Sequence, residues 1–448
     1  MQRDSVEAAL AKIDKSKPFR QSERMRRFLR FVVERALDGD SEALKEYTVG
    51  MAVFDRPDDF DPRIDSIVRV EARRLRRKLN EYYESEGKSD FVRINLQEGT
   101  YAPTFATGGP PALPPPAKAD PNAPHIITGD AYQLLLEGRH FANRMTPAHL
   151  RRSIECFQRA IHLDPQFAAA YAAVGGSILQ LALFGNISPS VVMTDAGLVI
   201  YRALTLSPDL AAGHLWRGFL NAALLWNWVE AEVDYERALE LNPSLVQARL
   251  FYAATVMNPQ GRFLEARAHL GAAALLDPAS VMLSAATGMT EYFSGDYEAA
   301  LEHYRRAIEL NSSFYGAHRL MAYALLALGR GDEALRSLEL AEPLAAGDPR
   351  LLATQGYVQG RLGHVEKATQ ILESLAALSA DSYVSAYDRA LIHLGLGQHD
   401  EACRLLVEAT AEHEPWLIML RVDPIFAPLH GFAPFQDLVG RILPPETK

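Results

Sequence analysis

Five glycines stand on one lattice: Gly261, Gly295, Gly329, Gly363 and Gly397 follow one another at a step of 34 residues. Ala266, Ala300, Ala334, Ala368 and Ala402 keep the same step five residues on, and Ala273, Ala307, Ala341 and Ala409 keep it seven residues beyond those, with Leu375 the exception. A fixed step of that size means an array of like supersecondary units, each too small to bury its own apolar face and therefore stacked on its neighbours. The residue types say what the unit is. Glycine closes a tight turn between two helices, and alanine lets those helices approach closely. Leu270, Tyr304, Leu338, Leu372 and Leu406 supply bulk between repeats. Asp277-Pro278 and Asn242-Pro243 stop second helices, since proline cannot continue one. The pattern predicts about eight helix pairs from Asp130 to His413 and then a terminal cap to Ile442.

Val281 to Ser312 is the best copy of the unit, with Gly288, Gly295, Tyr297, Ala300, Tyr304 and Ala307 at its marked positions, and Trp216 holds a tryptophan position in an earlier copy. This 34-residue pattern resembles the tetratricopeptide repeat. The resemblance implies an α-solenoid whose first helices line a concave surface for a protein or peptide partner, or for a sensed effector. Asp164-Pro165 and Ser207-Pro208 end less regular copies.

The first quarter of the chain follows another plan. From Asp65 to Tyr83, Val68, Ala72, Leu75, Leu79 and Tyr82 share one face of a 3.6-period helix, while Arg69, Arg73, Arg74 and Arg77 spread over the other side. Guanidinium suits phosphate oxygens and guanine edges alike, because its planar fork donates paired hydrogen bonds. Phe91 to Phe105 then reads as two short strands about a turn at Glu98-Gly99, and Arg93 lies on the first strand. Upstream, Ser22–Leu37 and Lys45–Phe54 read as helices, with Met25, Phe28, Leu29, Val32, Val33, Val49 and Val53 inside.

Val68, Val70, Ala72, Arg74-Leu75-Arg76, Leu79 and Tyr101 match the winged helix-turn-helix effector domain of OmpR/PhoB-type regulators, which this quarter resembles. The chain departs from that pattern at Ser66 and Gln97, in the acidic run Asp58, Asp59, Asp61 and Asp65, and in an amphipathic Ser5–Ile13 where the family has a small sheet. The resemblance implies double-stranded DNA as partner, bound by one chain or by a homodimer, with Arg69, Arg73, Arg74, Arg77 and Arg93 as DNA-binding residues. Leu225 to Pro243 and Arg421 to Phe435 are similar to bacterial proteins that join a winged helix to such repeats. The indoles Trp226 and Trp228 there read as packing rather than a ligand box.

The expected fold is therefore mainly α: a winged helix over residues 1–106 (three-helix core plus β-hairpin wing), a proline-rich linker over 107–127, and a solenoid with its C-terminal cap over 128–448. Proline density from Thr107 to Pro124 rules out helix and central strand there. Residues 1–105 carry 21 Lys and Arg against 20 Asp and Glu, and the remainder 25 against 36, so the chain's net charge of −10 resides in the repeats. Local potential governs a groove contact, since charges beyond about 8 Å are screened at physiological salt.

Two cysteines, Cys156 and Cys403, form no metal spacing and no disulfide framework, which fits a reducing, cytoplasmic compartment. The N-terminus lacks a signal-peptide core. Gln166 to Thr194 is free of charge, but its polar residues and Pro189 favour a helix packed on both sides over a membrane span. No phosphate-binding, dinucleotide-binding, zinc or nucleophile-elbow motif occurs, so no catalytic residue, cofactor or metal is expected. The histidines, such as His303 and His318, read as helix-surface residues. Two readings stay open. One is a DNA-binding transcriptional regulator with a repeat platform. The other is a protein-interaction scaffold whose winged helix no longer binds DNA.

Overall fold

The computed structural model describes residues 3–20, 22–38, 44–54, 56, 57, 60, 65–87, 92–96, 100–107, 129–185, 187–345, 347–379 and 382–444. The chain divides into two compact units, residues 1–113 and 114–448. Apart from Thr107, the expected linker lies outside the described residues, as do Gln97, Glu98, Gly99, Asp58, Asp59 and Asp61.

In the first unit, helices α1 (Arg3–Lys15), α2 (Glu23–Leu37), α3 (Glu46–Phe54) and α4 (Ile67–Glu84) precede strands β1 (Val92–Leu96) and β2 (Pro103–Thr107). The strands pair antiparallel, Val92 opposite Thr107 and Leu96 opposite Pro103. The apolar spacing of each helix explains the packing. Val6, Leu10 and Ile13 of α1, Phe28, Leu29 and Val32 of α2, Val49 and Val53 of α3, and Val68, Ala72, Leu75 and Leu79 of α4 share one core with Ile94 and Leu96 of β1. Phe28 meets Phe54 edge-on at 5.2 Å. Arg76 ties α4 to the sheet, donating to the carbonyls of Leu96 at 2.9 Å and Thr100 at 3.0 Å. The Tyr83 hydroxyl accepts from Ile94 N–H at 2.7 Å. Asp65, one residue before the Ser66 N-cap of α4, accepts from Ile67 N–H at 2.9 Å and pairs with Arg56.

The second unit is a solenoid of helix pairs. Among the described residues they are α5 (Gly129–Ala142) with α6 (Pro147–Leu163), α7 (Ala168–Leu183) with α8 (Pro189–Leu206), and α9 (Ala211–Phe219) with α10 (Trp228–Leu241). There follow α11 (Val246–Tyr252) with α12 (Phe263–Leu276), α13 (Val281–Ser294) with α14 (Tyr297–Leu310), and α15 (Tyr315–Ala327) with α16 (Gly331–Ala341). The last pairs are α17 (Pro349–Arg361) with α18 (Val365–Leu378) and α19 (Ala386–Gly395) with α20 (His399–Ala411). Helices α9 and α11 widen into π turns over Leu220–Leu225 and Ala253–Met257.

The lattice residues do what their chemistry requires. All five turn glycines adopt left-handed backbone, with φ between 73° and 91°. Every lattice alanine is fully buried, and so is Leu375 in its alanine slot. A methyl group on Gly288 would stand 2.6 Å from the Tyr304 ring, so that glycine sets the approach of α14. Second helices end where Asn242 and Asp277 precede proline. Thr146, Ser280, Asp296 and Asp348 cap following helices with their side-chain oxygens.

Three expectations need correction. Leu372 is only half-buried, because the first helices on either side of α18 meet each other directly: methyl groups on Gly360 and Gly395 would strike the facing backbone at 2.6 and 2.5 Å. His318 is buried, not on the surface; the Ser337 hydroxyl donates to its carbonyl at 3.0 Å, and burial pulls the imidazole below its usual range. The C-terminal cap does more than cover the last pair: Phe432 meets His399 of α20 edge-on at 5.6 Å, and the segment also turns back across the concave side of the array. The uncharged stretch Gln166–Thr194 forms α7 and the start of α8 within the array, and no helix among the described residues is long and apolar enough to cross a membrane.

Candidate functional site

First helices of successive repeats face inward, and their exposed faces form a groove of about 740 Å³. Ala169, Ala173, Ser177 and Gln180 present one face of α7; Ala211, Ala212 and Trp216 belong to α9; Leu250 and Phe251 to α11; Met282 to α13. The mouth is formed by Arg139, Asn143 and Arg144 at the end of α5, and the far end by Asp277, Asn311 and Phe314. Alanine at the inward positions of α7 and α9 keeps the space empty that longer side chains would fill.

The rest of the concave surface is already taken. After α20, residues 412–443 run back over it as a strap of two 3-10 turns (Pro415–Met419 and Pro424–Leu429) and helix α21 (Ala433–Ile442). Its polar atoms find partners on first helices far away in sequence. Trp416 donates its indole N–H to the Leu183 carbonyl at 3.2 Å, and the Arg319 guanidinium lies 5.6 Å from the Trp416 ring. The His413 Nδ1 meets the Leu224 carbonyl at 2.7 Å, and its ring stacks on Trp226 at 5.2 Å. Trp228 donates to the Ile442 carbonyl at 2.8 Å. Both indoles thus pack, as their composition suggests, against the strap. Trp226 takes left-handed backbone (φ 58°) to do so, at a turn where other repeats use glycine.

Beneath the strap lies a buried ionic hub. Arg350 on α17 holds Asp388 of α19 at 2.9 Å and Glu414 of the strap at 3.0 Å, and each side chain is at most 4% exposed. Burial, only partly offset by Arg350, pushes Asp388 up to about 7. Asp423 of the strap accepts from the Tyr292 hydroxyl and from Ile425 N–H, both at 3.1 Å, and burial pushes it up to about 7 as well. A smaller cavity of about 100 Å³ lies between Trp416 and Met419 of the strap and Leu183, Met282, Phe314 and Arg319. Sequence reading missed the strap, the hub and Gln180. The one signal for them was the run of proline and aromatic residues from Pro415 to Phe435, too apolar for a solvent-facing cover.

On α4, the expected DNA-binding arginines separate into two kinds. Arg73 and Arg77 are exposed and make no hydrogen bond or ion pair among the described residues. Arg69 pairs with Glu46 at 3.0 Å and Arg74 with Glu71 at 2.9 Å. Arg93, half-buried on β1, lies 5.1 Å from the Tyr83 ring. No group of His, Cys, Asp and Glu among the described residues could hold a metal ion. Cys156 and Cys403 are buried free thiols.

The repeated helix pairs and their inward groove define a helical-repeat solenoid of the kind that binds other chains along a concave face. Family models described as tetratricopeptide repeat match residues 294–356 and 384–408, so the second unit carries tetratricopeptide repeats. No curated protein sequence matches the chain. Solved structures share the repeat at low identity. PilF of Pseudomonas aeruginosa is 18% identical, with a TM-score of 0.37, covering 49% of this chain and 94% of its own. A tetratricopeptide repeat protein from Parabacteroides merdae is 14% identical at 0.41, covering 60% and 100%. Human IFIT1, solved as a dimer with m7Gppp-AAAA, is 13% identical at 0.48, covering 91% and 93%. At such scores no partner or activity passes from them to this chain.

Proposed function

We propose that the protein is an interaction scaffold whose groove holds an extended segment of a partner protein. The observation that carries this reading is the open groove running from Arg139 to Phe314 over the first helices of five repeats, with an apolar floor and polar margins. Clefts of this volume and lining are the ordinary form of a binding site. Nothing in the groove suggests catalysis, and the reading is of a non-enzyme. Buried thiols at Cys156 and Cys403 fit a reducing cytoplasm. The test is to fill the groove without disturbing the core. Ala173, half-buried on α7, points into it. An Ala173→Trp variant that melts like the parent should no longer retain the partner proteins the parent retains; unchanged retention would move binding to another surface.

A second reading, DNA binding by the first unit in a transcriptional regulator, is favoured by two arginines on the outer face of α4, Arg73 and Arg77, that make no ion pair among the described residues. A phosphate would not have to displace a carboxylate bound to either of them there. On this reading the full-length Arg73→Ala/Arg77→Ala variant binds duplex DNA about tenfold more weakly or worse. Each arginine removed from a base edge should cost about 1–3 kcal/mol, and each removed from a phosphate should flatten the salt slope by about one unit. Arg74→Ala alone should matter less, because its guanidinium is already engaged. Equal binding by the double variant and the parent would leave the scaffold as the whole function.

A further inference from the structure

We infer that the cavity beneath the strap is a small-molecule site, and that its ligand is a compact apolar monocarboxylic acid whose carboxylate is held by Arg319. This site stands apart from the groove reading above, because its occupant is a small molecule and the strap supplies one of its walls.

The walls come from two sides. Leu183, Phe251, Met282 and Phe314 lie on or beside first helices, while Trp416 and Met419 come from the strap. No strap residue lines the larger groove, so the enclosure belongs to this chain's C-terminal segment and not to a bare repeat array. The cavity, of about 100 Å³, holds an apolar body on the scale of a small ring or a short branched chain. Apolar cavities of about 150 Å³ stay dry and take up benzene. Met145, Leu250, Phe251, Met282 and Phe314 line the groove as well, which gives a ligand its way in.

An account of the polar side chains leaves one group over. No acidic residue among the described residues lines the cavity. The Thr255 hydroxyl donates to the Phe251 carbonyl at 2.7 Å, the Tyr315 hydroxyl to Asp348 at 3.0 Å, and the Trp416 indole to Leu183. Arg350 is taken by Asp388 and Glu414. Arg319, half-buried over the Trp416 ring, makes no hydrogen bond or ion pair among the described residues. Asp423 and Asp388 feel its charge through space, and each is already held by other groups. A guanidinium beside an apolar cavity offers paired donors that suit a carboxylate. One uncommitted cation matches a monoanion; a phosphate would bring more charge and more acceptors than these walls can meet.

The backbone at Met145 is an independent sign. It takes left-handed geometry (φ 56°) at the turn between α5 and α6, where the lattice repeats use glycine, and it stands where groove and cavity join. Side chains rarely occupy that region unless their surroundings hold them there.

The test is a saturation-transfer NMR titration of the full chain with 3-methylbutanoate and with 3-methylbutanamide, which keeps the shape and loses the charge. The acid should bind, and the amide should bind about tenfold more weakly or worse. Arg319→Met should erase that difference, and Arg319→Lys should restore part of it. Ala254→Leu should abolish binding by filling the cavity, since Ala254 is a half-buried part of its wall. Leu320→Phe fills the same space from α15 and serves if the first variant fails to fold; melting temperatures check each. Equal binding of acid and amide would overturn the carboxylate assignment. Binding that survives a filled cavity would overturn the location. If neither 3-methylbutanoate nor the bulkier benzoate binds the parent, the site itself is overturned.

Discussion

Asp423 is buried in the strap, and burial raises its pKa to about 7 against the hydrogen bonds from Ile425 N–H and the Tyr292 hydroxyl and the charge of Arg319. The sign of its effect on stability follows from proton binding. From about pH 4 upward the unfolded chain has released this proton, while the folded chain keeps it until about pH 7. The native state therefore binds more protons in that window, and stability falls as pH rises, by up to about 1.4 kcal/mol per pH unit for one group. Asp388 adds in the same direction. Against the parent, Asp423→Asn should gain relative stability steadily from about pH 4 to about pH 7. Melting temperatures of the pair, measured across that range, decide it; a constant difference would mean the carboxyl is ionised throughout. None of this was legible in the sequence, where Asp423 stands before a proline like any helix-capping acid. The outward face of α4 was legible, because the 3.6 period sorts Arg73 and Arg77 from Val68, Ala72 and Leu75. Which arginines are engaged was legible only in part: Glu71 and Arg74 stand three apart on one helix, but Glu46 reaches Arg69 only through the fold.

At the scale of helices, the repeat was readable because each lattice position carries one steric demand. Left-handed turns demand glycine, and close crossings demand alanine. Where the demand changes, so does the reading. Gly360 and Gly395 are off that lattice, yet they let α17 and α19 meet through their backbones and leave Leu372 at the margin. Gly395→Ala should destabilise the protein by about 1–3 kcal/mol, since the added methyl meets the Tyr357 carbonyl and not a movable side chain. Gly271→Ala is the contrast. It lies inside α12 with nothing near the new methyl, and should be neutral or stabilising by about 0.5–1 kcal/mol. Thermal melts of both variants test the pair, and equal losses would show that the α17–α19 approach is not the limiting contact. The strap eluded the pattern for the opposite reason. It has no period, and its partners lie as far as 233 residues away.

For the molecule as a whole, the sequence divides more plainly than any of its parts. Proline density and a change of charge balance between residues 105 and 128 separate two apolar patterns. We expect limited proteolysis to cut between Ala106 and Ile127 and to leave two pieces that each melt cooperatively; loss of the smaller piece's transition after the cut would show that it depends on the larger. Within the larger piece, the strap alters what a repeat array can do. Open arrays adapt their pitch to a ligand, because each interface between repeats yields a little. Here Glu414 and Trp416, two residues apart, fasten α17 and the end of α7 to one segment, where Gly185 and Arg350 already lie close together. A coil clasped in this way is a ring more than a spring: a partner should meet a circumference set in advance, not a pitch it can stretch.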